Sequence, residues 1–296
     1  MTSRKEILTR EVAEKLRLEA LVKPGIRKIF ARVVDDFRVS VGRTGQPQEI
    51  SRYRTSFESL LEDHYRRVQK AFSGAILLHN KVSTFSELRH KQAKPEEEES
   101  NIEELIAAIF LLWREQHAPV QADIIARTTV KDMSDAIDQA RQAIAEEGKP
   151  LDKRSVAATA TAILKRILRG RVDLIAVTET QTAAETTKAI EASTTARVLI
   201  PGIPVPRDIV PIIEPTAPTP GAGPRTTPQQ ATLKKSWITL RDKRVRPTHH
   251  DAHGQTRPIN EAFNVGSSRM MYPGDTSLGA PVREIAHCRC SAQYLF

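Results

Sequence analysis

Apolar residues recur at helical spacing through the first 200 residues of the chain, with polar residues between them. A repeat of three and four residues predicts helices that bury one face, and the long stripes are expected to form core and helix–helix contacts. The two clearest stripes are Ile26, Ile29, Phe30, Val33, Val34 and Phe37, and then Tyr53, Phe57, Leu60, Leu61, Tyr65, Val68 and Phe72.

Proline and glycine interrupt these stripes and predict where helices end. We expect Pro24, followed by a glycine, to end a first helix, Pro119 to end another, and Gly170 to end a third. A charged break in the mid-90s divides the helical part into regions 1–95 and 100–200.

The segment after Gly170 is rich in alanine and threonine up to about residue 196. Alanine favours helix and threonine weakens it. We expect a thin helix packed against others, and this interpretation is preferred to a catalytic role for Glu179.

Nine of the 18 prolines lie between Pro201 and Pro228. Proline lacks the backbone N–H and favours extended geometry, so residues 201–233 are expected to form a linker. Beyond it, β-prone Trp237-Ile238 and many Gly and Pro residues predict a small, loop-rich α+β module over 234–296. The expected fold class is therefore α+β, with a mainly helical N-terminal body, a Pro-rich linker and this module.

Charge and composition narrow the function classes. The chain has 296 residues and a net charge of +9, with the excess positive charge in the first and last hundred residues. This charge favours an anionic partner such as nucleic acid, or simply solubility. No apolar run predicts a membrane span, the first ten residues lack a signal-peptide core, and no phosphate-binding glycine loop indicates an ATPase.

The C-terminal 60 residues carry an ordered set of motifs. The set comprises Trp237, Asp242, Arg244, Arg246, His249, Gly254, Tyr272, Pro273, Gly274, Asp275, Glu284, Cys288, Arg289 and Cys290. In order and content it resembles the C-terminal domain of the Mu-F-like phage head morphogenesis family, the minor capsid proteins. Two positions depart from the family pattern: His253 stands where Asp is usual before the turn glycine, and His287 where Asn is frequent.

The resemblance implies assembly of a virion and no enzyme activity. Such proteins are internal components of tailed-phage heads, associated with the portal vertex and procapsid assembly. Implied partners are the portal, capsid or scaffold proteins and, non-specifically, packaged double-stranded DNA, with several copies per particle inside the head. Assembly would take place in the cytoplasm of the bacterial host. A particle-borne nuclease or toxin-like enzyme, or a DNA-binding protein at the portal vertex, are the alternatives.

The two cysteines leave three interpretations open. Cys288 and Cys290, placed on a strand, would project both sulfurs to one face, where His249, His250, His253 or His287 could complete a zinc site, with His249 and His253 as the chosen candidates. A redox or disulfide role is a second possibility. Packing as small apolar residues is preferred, because one intervening residue is shorter than usual zinc-ligand spacing, so no cofactor is required.

Two charged sets are candidates for binding. Asp242, Arg244, Arg246, His249 and Glu284 are expected to form a buried arginine–carboxylate network, with a nuclease site that uses His249 as base as the alternative. Lys165, Arg166, Arg169 and Arg171 are expected to complement a helix end, and are candidates for contact with an anion.

Overall fold

A computed structural model describes residues 4–75, 99–199 and 234–295. The expectations for the Pro-rich linker and for the charged break at Lys94-Pro95 lie outside these residues. Four long helices occupy the described part before residue 200. They are α1 (Arg4–Thr44), α2 (Ser51–Phe72), α3 (Glu99–Glu146) and α4 (Lys153–Leu199).

The expected helix ends at Pro24, Pro119 and Gly170 are wrong, since α1, α3 and α4 each continue through these positions. The reason is that the apolar stripe stays in register across each interruption. In α1, Val22 and Ile26 are both buried, while Pro24 between them is exposed. Proline cannot donate a hydrogen bond to the carbonyl one turn before it, and here that carbonyl lies on the solvent side of the helix. Continuous burial of one face thus outweighs the local cost of the breaker.

The C-terminal module (residues 234–295) is built from short elements. Its strands are β1 (Lys234–Ile238), β2 (Thr256–Pro258), β3 (Phe263–Val265), β4 (Ser268–Met270) and β5 (Ser291–Leu295), and its short helices are α5 (Pro247–Ala252) and α6 (Val282–Ile285). β1 lies between β2 and β5 in an antiparallel sheet, and β3 pairs with β4. The described part of the chain is mostly helical with one small sheet region, which confirms the expectation of a helical body and a small α+β module.

The apolar core of the module gathers residues from every part of it. Trp237 is fully buried at the end of β1, and its ring meets Phe263 edge-on at 5.4 Å between centroids. The remaining members of the core are Ala252, Val265, Met270, Ile285, Cys288 and Cys290. Among the described residues, no helix has both the length and the apolar character needed to cross a bilayer.

The chain forms two compact units. One, which we call the helical unit, comprises Leu16–Val68 and Leu112–Thr180. The other, the mixed unit, comprises Met1–Lys15, Gln69–Leu111 and Gln181–Phe296, and so contains the C-terminal module.

A buried polar cluster lies in the helical unit around Glu179 of α4. The Tyr65 hydroxyl donates a hydrogen bond to Glu179 Oε2, and His117 Nε2 lies 3.8 Å from the same oxygen. Burial raises the pKa of Glu179 to about 7, with the Tyr65 hydrogen bond acting against the rise. Glu179 therefore lies within a packed helix, as its alanine- and threonine-rich surroundings predicted.

A second polar cluster, which we call the lysine seam, joins α1, α4 and β5 within the mixed unit. It consists of Glu11, Lys15, Glu185, Lys188 and Ser291, all buried. Glu185 Oε1 accepts from Lys15 at 2.7 Å and lies 2.8 Å from Lys188 Nζ, while Lys188 also lies 3.1 Å from Glu11. Burial alone would lower the pKa of Lys188, but Glu11 and Glu185 outweigh it and raise that pKa.

The seam attaches the start of β5 to α1 and α4 by backbone as well as side-chain groups. Ala292 N–H donates to Glu185 at 2.9 Å, and the Cys290 carbonyl accepts from Gln181 Nε2 at 2.8 Å. The Ser291 hydroxyl donates to Glu11. Three consecutive residues of the C-terminal module are therefore bonded to helix side chains.

Replacing Glu185 by glutamine tests the seam. The change leaves two buried ammonium groups with one carboxylate, and we expect a loss of about 3 kcal/mol in the free energy of unfolding, measured by chemical denaturation. The control is Asp135→Asn, which breaks the exposed pair between Lys131 and Asp135 and should change stability little. Equal effects of the two substitutions would contradict a stabilising seam.

Replacing Glu179 by glutamine tests the buried carboxyl. Because the folded-state pKa of about 7 exceeds the ordinary 4.5, this group contributes stability at low pH that is lost as pH rises through 7. The stability of Glu179→Gln relative to the parent should therefore increase by about 3 kcal/mol between pH 5 and pH 8 in urea unfolding.

His64 and His117 titrate in the opposite direction, because burial lowers the pKa of each to about 4. The parent and Glu179→Gln both contain these histidines, so the pH dependence that the histidines contribute cancels in the stability difference. A stability difference that stays constant with pH would show that Glu179 ionises normally.

Candidate metal centre

Two short helices and a turn bring the candidate ligands of the C-terminal module together. α5 starts with Pro247, whose fixed φ and missing N–H suit a first helical position, and it carries His249. α6 carries Glu284 and is followed by His287, whose φ of 54° turns the chain toward the cysteines. Cys288 and Cys290 precede β5, so they lie in the irregular segment between α6 and β5 and not on the strand that the sequence predicted.

His249 Nδ1 faces both sulfur atoms. It lies 3.3 Å from Cys290 Sγ and 3.6 Å from Cys288 Sγ, and all three candidate ligand atoms lie within 4.8 Å of one another. All three residues are buried, with between 1% and 3% of their surface exposed. This His–Cys–Cys cluster could hold a metal ion.

These distances match tetrahedral coordination. With Zn–S of about 2.3 Å and Zn–N of about 2.0 Å, a tetrahedral ion separates sulfur from nitrogen by about 3.5 Å. The two observed separations lie on either side of that value. The donor atoms therefore need little movement to surround one ion.

The other ring nitrogen of His249 is held by a carboxylate. Nε2 lies 3.2 Å from Glu284 Oε2, and the same oxygen accepts a hydrogen bond from the Thr248 hydroxyl at 2.9 Å. A carboxylate on Nε2 favours the tautomer that carries its proton there, which leaves the Nδ1 lone pair directed at the sulfurs. Metal-ligating histidines are commonly oriented by such a carboxylate partner.

The two thiols of the cluster have pKa values that are shifted in opposite directions. The hydrogen bond between the two sulfurs lowers the pKa of Cys288 well below its usual value. The same hydrogen bond, together with burial, raises the pKa of Cys290. A cation that displaced the thiol protons would be bound by two thiolates beside His249.

Trp237 supplies a further donor beside the sulfurs. Its ring meets His249 edge-on at 5.5 Å between centroids, and the Trp237 N–H acts to lower the pKa of Cys290. Within the part of the chain that the structure describes, that buried Nε1 has no hydrogen-bond partner. Its effect on Cys290 is therefore that of a nearby dipole, which favours the thiolate form that binds metals.

His253 belongs to a different contact from the one predicted. Its Nδ1 accepts from the Thr239 backbone N–H at 3.0 Å and lies 3.0 Å from the Thr239 hydroxyl. It is not part of the His–Cys–Cys cluster, because it follows α5 and is held beside the end of β1. Burial lowers the pKa of His253, with Arg241 and His250 adding to the effect.

The expected buried arginine–carboxylate network is not what the structure contains. The Arg244 side chain is 84% exposed, and its Nε lies 3.9 Å from Asp242. Arg246 donates to the backbone carbonyl of Ala286. Glu284 pairs instead with His249, because α6 places it against α5.

The Tyr272–Asp275 motif forms a turn that contacts α4. Gly274 has φ of 88°, and Asp275 Oδ2 accepts from Met271 N–H at 2.7 Å, which confirms the expected capping role. The Tyr272 hydroxyl accepts from Thr186 of α4 at 3.2 Å. The turn thus joins the module to α4 within the mixed unit.

Gly254 shapes the backbone between α5 and β2. It has φ of 82° and donates its N–H to the Trp237 carbonyl at 2.8 Å. Because glycine adopts positive φ without steric cost, this motif position suits the turn that returns the chain to β1.

The four basic residues near Gly170 divide into two kinds. Lys165, Arg166 and Arg169 are exposed along α4, which does not end there as the sequence predicted. Arg171 is half-buried, pairs with Asp132 at 2.7 Å, and lies over the Phe30 ring. Its role in the helical unit is therefore structural.

Sequence reasoning missed the lysine seam. Glu11 and Lys15 continue the apolar stripe of α1 between Leu8 and Leu18, so charged residues at buried positions were the available signal. Their partners lie far away in sequence, and nothing local identifies them.

No protein-family model, curated protein or solved structure matches this chain.

Proposed function

We propose that this chain is a non-enzymatic assembly protein of a tailed-phage head, and that a zinc ion bound by His249, Cys288 and Cys290 stabilises its C-terminal module. The single observation that carries the proposal is that four motif residues, His249, Glu284, Cys288 and Cys290, meet in a buried cluster in which both nitrogens of His249 face a partner.

Zinc is the metal that the donor set favours. Two thiolates and one imidazole in tetrahedral arrangement suit zinc better than the hard, oxygen-preferring Mg²⁺ or Ca²⁺. Glu284 orients the histidine ligand through its second ring nitrogen. The module has a small apolar core, so a bound ion would add substantially to its stability.

The nuclease alternative has less support. A general base needs a nitrogen free to take a proton from substrate, and the two nitrogens of His249 face the sulfurs and Glu284.

The partners follow from the resemblance of the module to Mu-F-like head proteins and from the charge of the chain. We propose binding to the portal protein, or to capsid or scaffold proteins, in several copies inside the head or at the portal vertex. The net charge of +9 suits non-specific proximity to packaged double-stranded DNA. Attachment of β5 to α1 and α4 through the lysine seam supports a mixed unit that acts as a rigid building block.

Metal analysis tests the zinc site. The full chain, purified without chelator, should contain stoichiometric zinc by elemental analysis, and His249→Ala or Cys290→Ser should lose it because only two ligands remain. His253→Ala is the matched control and should retain the metal. A parent protein free of zinc, which also takes none up when supplied with it, would contradict the site.

Co-assembly tests the function. We expect the full chain to copurify with the portal or with head particles when co-expressed with the portal, capsid and scaffold proteins of its own phage, as read by native mass spectrometry. Absence from both would contradict the proposal. Cleavage of DNA or RNA by the parent protein that disappears in His249→Ala would favour the nuclease alternative instead.

A further inference from the structure

A cavity of about 300 Å³ adjoins the His–Cys–Cys cluster. All three candidate ligand residues line it, together with Arg244, Arg246 and Arg289. This volume lies at the small end of the range for ligand pockets, so it suits a small group better than a large organic cofactor.

The chain supplies three ligands to a metal that prefers four. Among the described residues, no fourth His, Cys, Asp or Glu atom joins His249, Cys288 and Cys290 in the cluster. Because the cavity touches all three of these residues, a fourth ligand can reach the ion from the cavity. Sites with three protein ligands typically complete their coordination with water or an exogenous group.

The cavity walls are predominantly positive. Three arginines line the cavity against one carboxylate, that of Asp242. Asp242 compensates Arg244 only weakly, at 3.9 Å and with both side chains exposed to solvent. Arg246 uses one nitrogen for the Ala286 carbonyl, and a guanidinium has further N–H groups to offer. Guanidinium groups match the geometry of carboxylate and phosphate oxygens.

Backbone strain is concentrated at the same place. Among the described residues, the two non-glycine residues with positive φ are Arg241, at 55°, and His287, at 54°. Arg241 directly precedes Asp242 of the cavity wall, and His287 is part of that wall. Such conformations cost free energy and tend to cluster at binding sites, where they hold side chains in place.

We propose that this cavity binds an oxyanion, the phosphate or carboxylate group of a ligand, with one oxygen in the fourth coordination position of the metal and the others facing the arginines. The inference rests on the proposed zinc site. On this proposal, the zinc ion stabilises the module and also binds an anionic group.

The experiment uses the full chain with Co²⁺ in place of zinc, because the absorption of Co²⁺ reports its ligands. Inorganic phosphate and acetate are titrated in separate arms at constant ionic strength, with sodium perchlorate as the weakly coordinating control. We expect a saturable change of the Co²⁺ spectrum with phosphate or acetate, and the arm that binds more tightly identifies the source of the oxyanion.

Arginine variants test the cavity wall. Arg244→Gln and Arg289→Gln should each weaken anion binding about tenfold without changing metal stoichiometry, since each removes a charge-assisted hydrogen bond. Arg269→Gln removes an exposed charge from β4, outside the cavity, and should leave the affinity unchanged.

The outcomes separate the two proposals. Failure to bind Co²⁺ would overturn the zinc site itself. Binding of Co²⁺ with a spectrum that neither anion alters would overturn the oxyanion site alone, as would equal anion affinity in all three arginine variants and the parent. A change in the anion-free spectrum of His287→Ala would identify His287 as the fourth ligand and also overturn the oxyanion site.

Discussion

The attachment of residues 290–292 to two helices is the constraint on which the mixed unit depends. Glu185 contacts two buried lysines and the backbone of Ala292, so one carboxylate links α1, α4 and β5. Each of these charged groups is stable in the interior only while the others are present, because an unpaired buried charge is costly. The arrangement fixes the position of β5 and hence of the sheet that β5 shares with β1.

Cys290 joins this seam to the candidate metal centre. Its carbonyl accepts from Gln181 in the seam region, while its sulfur lies 3.3 Å from His249. The backbone that positions one thiol is therefore fixed by the helices before any metal arrives. The sulfur–nitrogen distances already suit a tetrahedral ion, so these ligands would lose little conformational entropy on binding one.

Much of this site could be predicted from residue types in order along the chain. His249 and the two cysteines were candidates because they are metal-ligating residues in one short module, and Glu284 was recognised as part of a charged set. The selection of His249 over His253 could not be predicted, since the two residues are four positions apart, one within α5 and the other directly after it. The direction of the ring depends on α6, which packs against α5 through Glu284.

The sequence by itself determined the helical body, the small sheet region and the residues from which a metal site could be built. Periodicity and residue chemistry are local properties, so they can be read without the fold. Only the tertiary structure decided that helices run through Pro24, Pro119 and Gly170, that Lys15 and Lys188 are buried with Glu185, and that two strained residues flank an arginine-lined cavity. Each of these depends on contacts between segments distant in sequence, whose burial outweighs local preference.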